Sequence, residues 1–195
     1  MPSASSRRSS TIPKERASKP DAATTTLTGA PPLTRFDLRA DAATAARVGA
    51  AYGLDLPAAI NSGASKGERG QPGARVALKL GPDEFWLIVP EAEGDSVRAA
   101  LEAALKGQIS SLVDVSHRQV GFVLAGPDAA TLLSSGCPLD FDPRAFPVGM
   151  ATRSVFHKIE FMVWRMAPAL FRIEVTRSFG PYFEAMIVEA RHDPV

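Results

Sequence analysis

The chain has few of the residues that most often carry catalysis, metal binding or cross-linking. Among 195 residues there are three histidines and one cysteine, Cys137. A single cysteine excludes a disulfide framework and is typical of a protein from a reducing compartment. The histidines and carboxylates form none of the HxH, HExxH or CxxC patterns of zinc sites. We therefore expect a cytoplasmic protein with no metal site.

Long apolar runs, phosphate-binding glycine loops and an excess of basic charge are also missing. No apolar stretch approaches the roughly 20 residues that a membrane helix needs. Neither GxGxxG nor GxxxxGK[ST] occurs, so no nucleotide site is predicted. The formal net charge is +1, whereas a nucleic-acid-binding face carries clustered basic residues. The sequence predicts no membrane and no nucleic-acid partner.

Residues 1–33 differ in composition from the rest of the chain. They are rich in Ser, Thr, Ala and Pro and show no apolar periodicity, which predicts a disordered tail. The pair Arg7-Arg8 is similar to the start of a twin-arginine export signal. The apolar segment that should follow is absent, so export is not expected.

Apolar periodicity and turn residues divide the remainder into strands and helices. The first half contains a strand at 34–38, a helix capped by Asp41 and ended by Gly53, a hairpin of ARVALKL and FWLIVP, a helix over 94–107 capped by Asp95 or Ser96, and the strand SLVDVSHR. The second half contains the strand QVGFVLAG, a short helix PDAATLLSSG, the strands ATRSVFHK, IEFMVWRM and LFRIEVTR, and a helix from Ser178 to about Ala190.

The second half resembles the first at an offset of about 85 to 87 residues. RFDLRADAATAARVGAAYGLDLP aligns with VGFVLAGPDAATLLSSGCPLDFDP, and a similar match follows further on. Two repeated halves, 34–118 and 119–195, are thus predicted to form one compact unit; chance similarity is the alternative. Strands that alternate with helices and hairpins indicate an α+β fold, with helices covering mostly antiparallel sheet.

The segment VDVSHR holds the polar residues that most resemble a site. Ser116 and His117 are neighbours in the predicted strand and point to opposite faces, so they cannot pair as nucleophile and base. Asp114, Ser116 and Arg118 would share one face. Such a row lines a groove or an interface, or forms a solvated strand edge.

Cys137 is not expected to be a catalytic thiol. It follows the predicted C-terminal end of the helix in the second half, where the helix dipole disfavours a thiolate. The nearest charged residues in the sequence are aspartates. We interpret it as an inert, small apolar residue in a turn.

Several motifs together resemble one protein family. VDVS, then GxxLDxxPRxFPxG, a Trp-Arg strand and RSF occur in order between residues 113 and 179, and LGPDEFWLIVP fits upstream. This combination resembles the gamma subunit family of bacterial heterotetrameric sarcosine oxidases over roughly residues 34–190.

The resemblance implies a division of labour between subunits. The complex would demethylate sarcosine oxidatively with oxygen and tetrahydrofolate, giving glycine, hydrogen peroxide and 5,10-methylenetetrahydrofolate. FAD, FMN, NAD, tetrahydrofolate and zinc would lie in the alpha, beta and delta subunits. The gamma chain would hold no cofactor or catalytic residue and would pack mainly against the large alpha subunit. The residues leave open whether the substrate is sarcosine or a related methylated amine.

At a greater distance, FDLR, DVSH and LAGPDA resemble the folate-binding fold of the glycine cleavage T protein, an aminomethyltransferase. That family has a catalytic aspartate in a hairpin reading roughly Gly-x-Ile-x-Asp-Asp. The corresponding hairpin here, FHKIEFMVW, has neither the glycine nor the aspartate, and Glu160 is its nearest acid. A stand-alone folate-binding or aminomethyltransferase-like protein is therefore the alternative hypothesis.

A noncatalytic subunit must bury surface against its partners. Trp86 and Trp164 lie in strongly alternating strands and are predicted to be core residues or subunit-interface anchors. Phe161 and Met162 are further candidates for such an interface.

Overall fold

Residues 24–67 and 75–192 are the part of the chain that the computed structural model describes. They contain ten strands and four α-helices. The first half has β1 (Thr26–Gly29), β2 (Leu33–Ala40), α1 (Ala42–Tyr52), β3 (Ser62–Lys66), β4 (Arg75–Lys79), β5 (Glu84–Pro90), α2 (Gly94–Leu105) and β6 (Ser110–Asp114). The second has β7 (Gln119–Ala125), α3 (Ala129–Ser134), β8 (Ala151–Phe156), β9 (Ile159–Ala167), β10 (Leu170–Thr176) and α4 (Gly180–His192). None of these helices is long and apolar enough to cross a bilayer.

The strands form two antiparallel sheets. Sheet I has the order β3-β4-β5-β2-β6, and sheet II has the order β1-β7-β10-β9-β8. Four neighbouring strands have the same arrangement in both sheets. The spatial order β3-β4-β5-β2 in sheet I corresponds to β8-β9-β10-β7 in sheet II, and in each set the last strand named comes first in the chain. The fifth strand differs, since β6 follows the four strands of its own sheet in the chain, whereas β1 precedes the four strands of sheet II and the whole of sheet I. The matching order is a feature of the topology, and descent by duplication stays a prediction.

The helices cover one face of each sheet, and the other faces pack together. Helices α1 and α2 share a buried cluster with sheet I, and α3 and α4 share one with sheet II. A third buried cluster joins side chains of the two sheets. On β5, Phe85 and Leu87 contact the helices, while Trp86 and Ile88 face the other sheet. The strand is therefore apolar on both faces, and the predicted α+β fold with helix-covered antiparallel sheet is confirmed.

Local signals explain where the helices begin and end. Asp41 accepts a 2.7 Å hydrogen bond from the Thr44 amide, and Gly53 ends α1 in the left-handed conformation at φ 73°, as predicted. The predicted cap of α2 is wrong. That helix begins at Gly94 after a 3₁₀ turn over Glu91–Glu93, without a side-chain cap. The 3₁₀ turn supplies the first turn, so neither Asp95 nor Ser96 lies at the cap position.

The structure also corrects the predicted tail and loops. The tail boundary at residue 33 is wrong, because residues 26–29 form β1, which pairs with β7. The pairing uses backbone hydrogen bonds, so the polar side chains of this segment give no apolar pattern that would predict a strand. Residues 1–23 of that tail, and 193–195 at the other end, lie outside the described residues. Strand β3 is not among the strands that the sequence predicts. Its small residues show no apolar pattern because Gly63 lies directly against Trp164 of sheet II.

Candidate functional site

Beside the apolar contact between the sheets, a polar cleft of about 400 Å³ opens, which we call the inter-sheet cleft. Sheet I lines it with Asp37, Arg39, Glu84 and Trp86, and sheet II and the preceding turn contribute, among others, Arg118, Gln119, Arg153 and Glu160. Strand alternation explains this lining. On β2, Phe36 and Leu38 belong to the core under the helices, so Asp37 and Arg39 face sheet II.

Glu84 is the centre of a charge cluster in the inter-sheet cleft. Arg39 Nη2 lies 2.9 Å from Glu84 Oε2 in an ion pair, and Arg39 Nη1 donates to Asp83 Oδ1 at 3.1 Å. Arg153 from sheet II donates to Glu84 Oε1. Hydrogen bonding from Arg153 lowers the pKa of Glu84 although burial opposes it. The Arg153 guanidinium also lies 5.2 Å from the centroid of the Trp86 ring. Glu84 therefore pairs with both arginines, and Arg39 also pairs with Asp83.

Asp37 lacks such a partner. Its carboxylate is half-buried, and Oδ1 makes no hydrogen bond. Burial and the neighbouring charge of Glu84 raise the pKa of Asp37, and Arg39 and Arg153 offset this only in part. The indole N–H of Trp86, its cross-strand neighbour in β5, lies close enough to the Asp37 carboxylate to lower that pKa by hydrogen bonding, although the contact does not have normal hydrogen-bond geometry.

Next to the inter-sheet cleft, a buried ion triad joins the two sheets. Arg35 Nε of β2 donates to Glu174 Oε2 of β10 at 2.8 Å, and Arg172 Nη2 donates to Glu174 Oε1 at 2.6 Å. Gly121 leaves the room that these side chains occupy, because a Cβ there would lie 2.9 Å from Glu174 Oε1. Each of the three buried charged groups has a partner of opposite charge in the triad, and without that partner its burial would cost much free energy.

The sequence reasoning missed the triad and the Glu84 cluster. A signal was available, because Arg35, Arg172 and Glu174 occupy positions in alternating strands where the opposite face is mostly apolar. Charged residues at such positions indicate a second buried face rather than solvent. The identity of their partners was not readable, because Arg35 and Glu174 are 139 residues apart.

The predicted row of Asp114, Ser116 and Arg118 does not lie on one strand. Strand β6 ends at Asp114, and residues 116–118 form a turn. The Asp114 carboxylate accepts a 2.8 Å hydrogen bond from the Ser116 amide, and the Ser116 hydroxyl accepts one from the Arg35 amide at 2.9 Å. These bonds take the chain out of the strand. Of the three, Arg118 lines the inter-sheet cleft.

The tryptophans lie in the core, which is the first of the two predicted alternatives. Trp86 and Trp164 are each 4% exposed and belong to the cluster that joins the sheets. Phe161 and Met162 are buried as well. Their apolar surface is already used inside the chain. Trp86 also borders the inter-sheet cleft, whereas Trp164 lies against Gly63, away from it.

Cys137 lies just after α3, as predicted. Its amide donates to the Leu133 carbonyl at 3.0 Å, which continues the end of the helix. The thiol is buried in the core of sheet II, and Sγ is 3.4 Å from Ser154 Oγ. It is packed as a small apolar side chain.

The hairpin of β8 and β9 does not supply the acid that folate chemistry of the T-protein type needs. Its turn consists of His157 and Lys158, and Glu160 follows on β9, opposite Val155. Glu160 is exposed and borders the inter-sheet cleft. The residues present therefore do not fit that chemistry.

Comparison with known proteins gives a consistent result. The model of the sarcosine oxidase gamma subunit family matches residues 36–193. A sarcosine oxidase subunit gamma from Arthrobacter is 36% identical over 120 residues, which is 62% of this chain and 56% of that protein. The subunit from Corynebacterium strain U-96 is 32% identical over 145 residues, or 74% of this chain and 67% of that protein. The match thus spans little more than half of the Arthrobacter relative.

Solved structures extend the likeness to the fold. A chain of the heterotetrameric sarcosine oxidase from Corynebacterium U-96 in complex with pyrrole 2-carboxylate superposes with a TM-score of 0.77 and 30% identity, covering 87% of this chain and 84% of that one. The glycine cleavage aminomethyltransferase T from Bartonella henselae gives a TM-score of 0.63 at 14% identity, covering 86% of this chain and 46% of that one. The second likeness concerns the fold alone.

Proposed function

The chain belongs to the sarcosine oxidase gamma subunit family, and from this membership we propose that it is a noncatalytic structural subunit of a heterotetrameric sarcosine oxidase. The complex would convert sarcosine to glycine with oxygen and tetrahydrofolate, forming hydrogen peroxide and 5,10-methylenetetrahydrofolate. One observation carries the proposal: the match extends over 36–193, which includes every helix and every strand except β1 and the start of β2, rather than over a single motif. Flavins, NAD, folate and zinc would belong to the alpha, beta and delta subunits.

The state of the polar groups supports a noncatalytic role. Glu84 and Glu174 are both held in ion pairs with arginines. Ser116 is used in a turn, and Cys137 is packed in the core. A nucleophile needs a neighbouring base and an accessible reaction site, and none of these groups has both.

The partner contact would use surface that the chain leaves exposed. Ile109 is 99% exposed, and Val113 on the adjoining strand β6 is 50% exposed. Strand β6 pairs with β2 on one side and is the edge of sheet I on the other. Exposed apolar side chains beside an unpaired strand edge are typical of a protein interface. We propose that this edge contacts the large alpha subunit.

Co-expression with the other three subunits tests the proposal. We expect the chain to elute with them as one flavin-containing complex in gel filtration, and to be necessary for assembly but not for chemistry at the flavin. Elution of the chain as a monomer, with no flavoprotein attached, would overturn the proposal. Ile109→Glu should weaken the assembly, whereas Val188→Glu, an exposed site on α4, is the matched control.

A further inference from the structure

Strand β6 has one row of backbone groups that face away from its sheet. Just beyond the strand, the Val115 amide donates to the Arg35 carbonyl of β2 at 2.9 Å. Hydrogen-bonded pairs alternate along an antiparallel ladder, so Val113 and Ser111 bond to β2 in the same way. The residues that alternate with them direct their N–H and C=O groups outward, and in the described part of the chain β6 pairs with β2 alone. These outward residues are Ser110, Leu112 and Asp114.

The other edges of the two sheets are protected in different ways. Beside β3, the Gly63 amide donates to the Gly149 carbonyl at 2.8 Å, so the chain itself covers part of that edge of sheet I. Strand β1 is followed closely by Pro31-Pro32, and β8 carries Arg153 near its centre. Prolines and charged side chains are common means of keeping other strands from a sheet edge. Strand β6, with the sequence SSLVD, has no proline or basic residue, so it is the edge most open to an added strand.

Exposed apolar side chains accompany this open edge. Ile109, directly before β6, is 99% exposed, and Val113 is 50% exposed. Val113 lies opposite Asp37 of β2 and therefore shares the face that is turned toward sheet II. A groove of about 440 Å³ borders Ile109 and the first residues of β6. Unpaired backbone groups together with exposed apolar side chains are the features that recognition by an added strand uses.

The size of the edge decides which kind of partner fits. Strand β6 has five residues, and at about 3.4 Å per residue such a strand is roughly 17 Å long. Stable interfaces bury about 1,200 Å² or more, and a pair of strands of this length is too small to reach that area alone. A second copy that paired β6 with β6 would therefore bind weakly. A large subunit can add one strand here and contact the neighbouring surface as well.

We propose that an extended segment of the large alpha subunit adds to sheet I as a sixth strand, through hydrogen bonds to the outward groups of Ser110, Leu112 and Asp114. The contact so defined depends on the proposed function, because the segment belongs to the assembled oxidase. The segment needs free N–H groups at the paired positions, which excludes proline there. Beside Val113 it should carry an apolar side chain. On the opposite face, where Asp114 pairs with Arg98 of α2, a polar side chain fits.

Amide hydrogen exchange at single-residue resolution tests this contact in the purified complex and in the isolated chain. In the isolated chain, the Ser111 and Val113 amides should exchange slowly because they bond to β2, whereas the Leu112 and Asp114 amides should exchange fast. In the complex, Leu112 and Asp114 should slow by about tenfold or more, as amides do when they enter a hydrogen-bonded strand. The Leu27 amide also points outward, from β1, and it is the matched control whose rate should not change.

A proline substitution separates the backbone contact from the apolar side chains. Ser110→Pro removes an outward N–H group and no bond to β2, so it should weaken assembly about tenfold or more. Gly29→Pro likewise removes an outward N–H group, from β1, and is the matched control that should assemble as the native chain does. Gel filtration of the co-expressed subunits over a dilution series measures both. The exchange comparison uses the native chain, so it decides the question if Ser110→Pro impairs folding.

The outcomes separate the added strand from the proposed function. Fast exchange at Leu112 and Asp114 in an intact complex, or equal slowing at Leu27, would overturn the added strand and leave the proposed function in place. Failure of the native chain to assemble would overturn both. Slow exchange at Leu112 and Asp114 in the isolated chain that is lost on dilution would identify a second copy as the occupant, in place of the alpha subunit.

Discussion

Arg35 on sheet I and Glu174 on sheet II form a buried ion pair, with Arg35 Nε 2.8 Å from Glu174 Oε2 and the side chains 5% and 0% exposed. This contact joins two sheets that otherwise meet through apolar side chains. Arg172 binds the other oxygen of Glu174. The carboxylate therefore holds two guanidinium groups, and its loss would leave both buried without a counter-charge.

Glu174→Ala should destabilise the chain strongly, by about 3 to 5 kcal/mol, the usual cost of removing one partner from a buried ion pair. Denaturant unfolding of the isolated chain measures this loss. Arg144→Ala breaks an exposed pair with Asp142 and is expected to change stability little. A similar effect of the two substitutions would contradict the role assigned to Glu174.

Gly63→Ala should be destabilising because the added Cβ has no room. It would lie 2.7 Å from Trp164 Nε1 and 2.8 Å from Leu78 Cδ2, both in the core between the sheets. Overpacking of this kind costs about 1 to 3 kcal/mol. Gly29→Ala is the control, since nothing lies within 4 Å of a Cβ there. Thermal unfolding of both variants measures the effect. If Gly63→Ala is no less stable than Gly29→Ala, the prediction is wrong.

Asp37→Asn should stabilise the chain at neutral pH. Burial and Glu84 raise the pKa of Asp37 above its ordinary value of 3.8, and Arg39 and Arg153 do not fully compensate. The ionised carboxylate is thus disfavoured in the folded state. Its contribution to stability is present below pH 3.8 and is lost as the pH rises through the higher pKa of the folded state.

The gain for Asp37→Asn should therefore be largest near pH 7 and shrink toward pH 4. It should stay below about 1 kcal/mol, because the carboxyl is half-exposed and solvent screens its charge. Melting temperatures at the two pH values, with Asp95→Asn as control, measure it. A loss of stability at pH 7 would mean that Asp37 has a favourable partner.

Cys137→Ser should leave the turnover of the assembled oxidase nearly unchanged. The thiol is buried in the core of sheet II, and Ser154 Oγ lies within reach of a hydroxyl at this position. Steady-state turnover per flavin in the purified complex measures the effect. A fall of more than about tenfold, or 1.4 kcal/mol in the activation barrier, with the complex intact would show that the thiol takes part in catalysis.

Tetrahydrofolate should not bind the isolated chain. The β8–β9 hairpin offers Glu160 in place of the expected aspartate, and this residue lies on the strand rather than in the turn. Isothermal titration calorimetry should give no heat of binding. A clear binding isotherm would favour the alternative of a stand-alone folate-binding protein and would count against the assignment of folate to another subunit.

Local structure was predictable where one short segment contains both the element and its boundary. The helix between Asp41 and Gly53 and the hairpin of β4 and β5 were confirmed for this reason. Predictions failed where a distant segment decides the outcome. The hydroxyl of Ser116 binds the amide of Arg35, 81 residues away, so the chain turns where alternation alone predicts that β6 continues.

The candidate site shows the same division. Arg118 was identified from the sequence, but Asp37 and Gln119 were not, because nothing near them in the chain distinguishes them from solvated strand residues. Alternation divides β2 into two faces, but it does not say that the polar face lies opposite β9 and β10. That fact places Asp37 in a cleft, where it takes part in no ion pair among the described residues.

The sequence by itself determined the family, the α+β class and most strands and helices, because motif order and apolar period are properties of neighbouring residues. Only the tertiary structure decided that the sheets pack face to face, that Arg35 meets Glu174, and that Asp37 and Gln119 share a cleft. The physical reason is that a buried charge is stable only beside its partner, and these partners come together only when the two halves of the chain fold against each other.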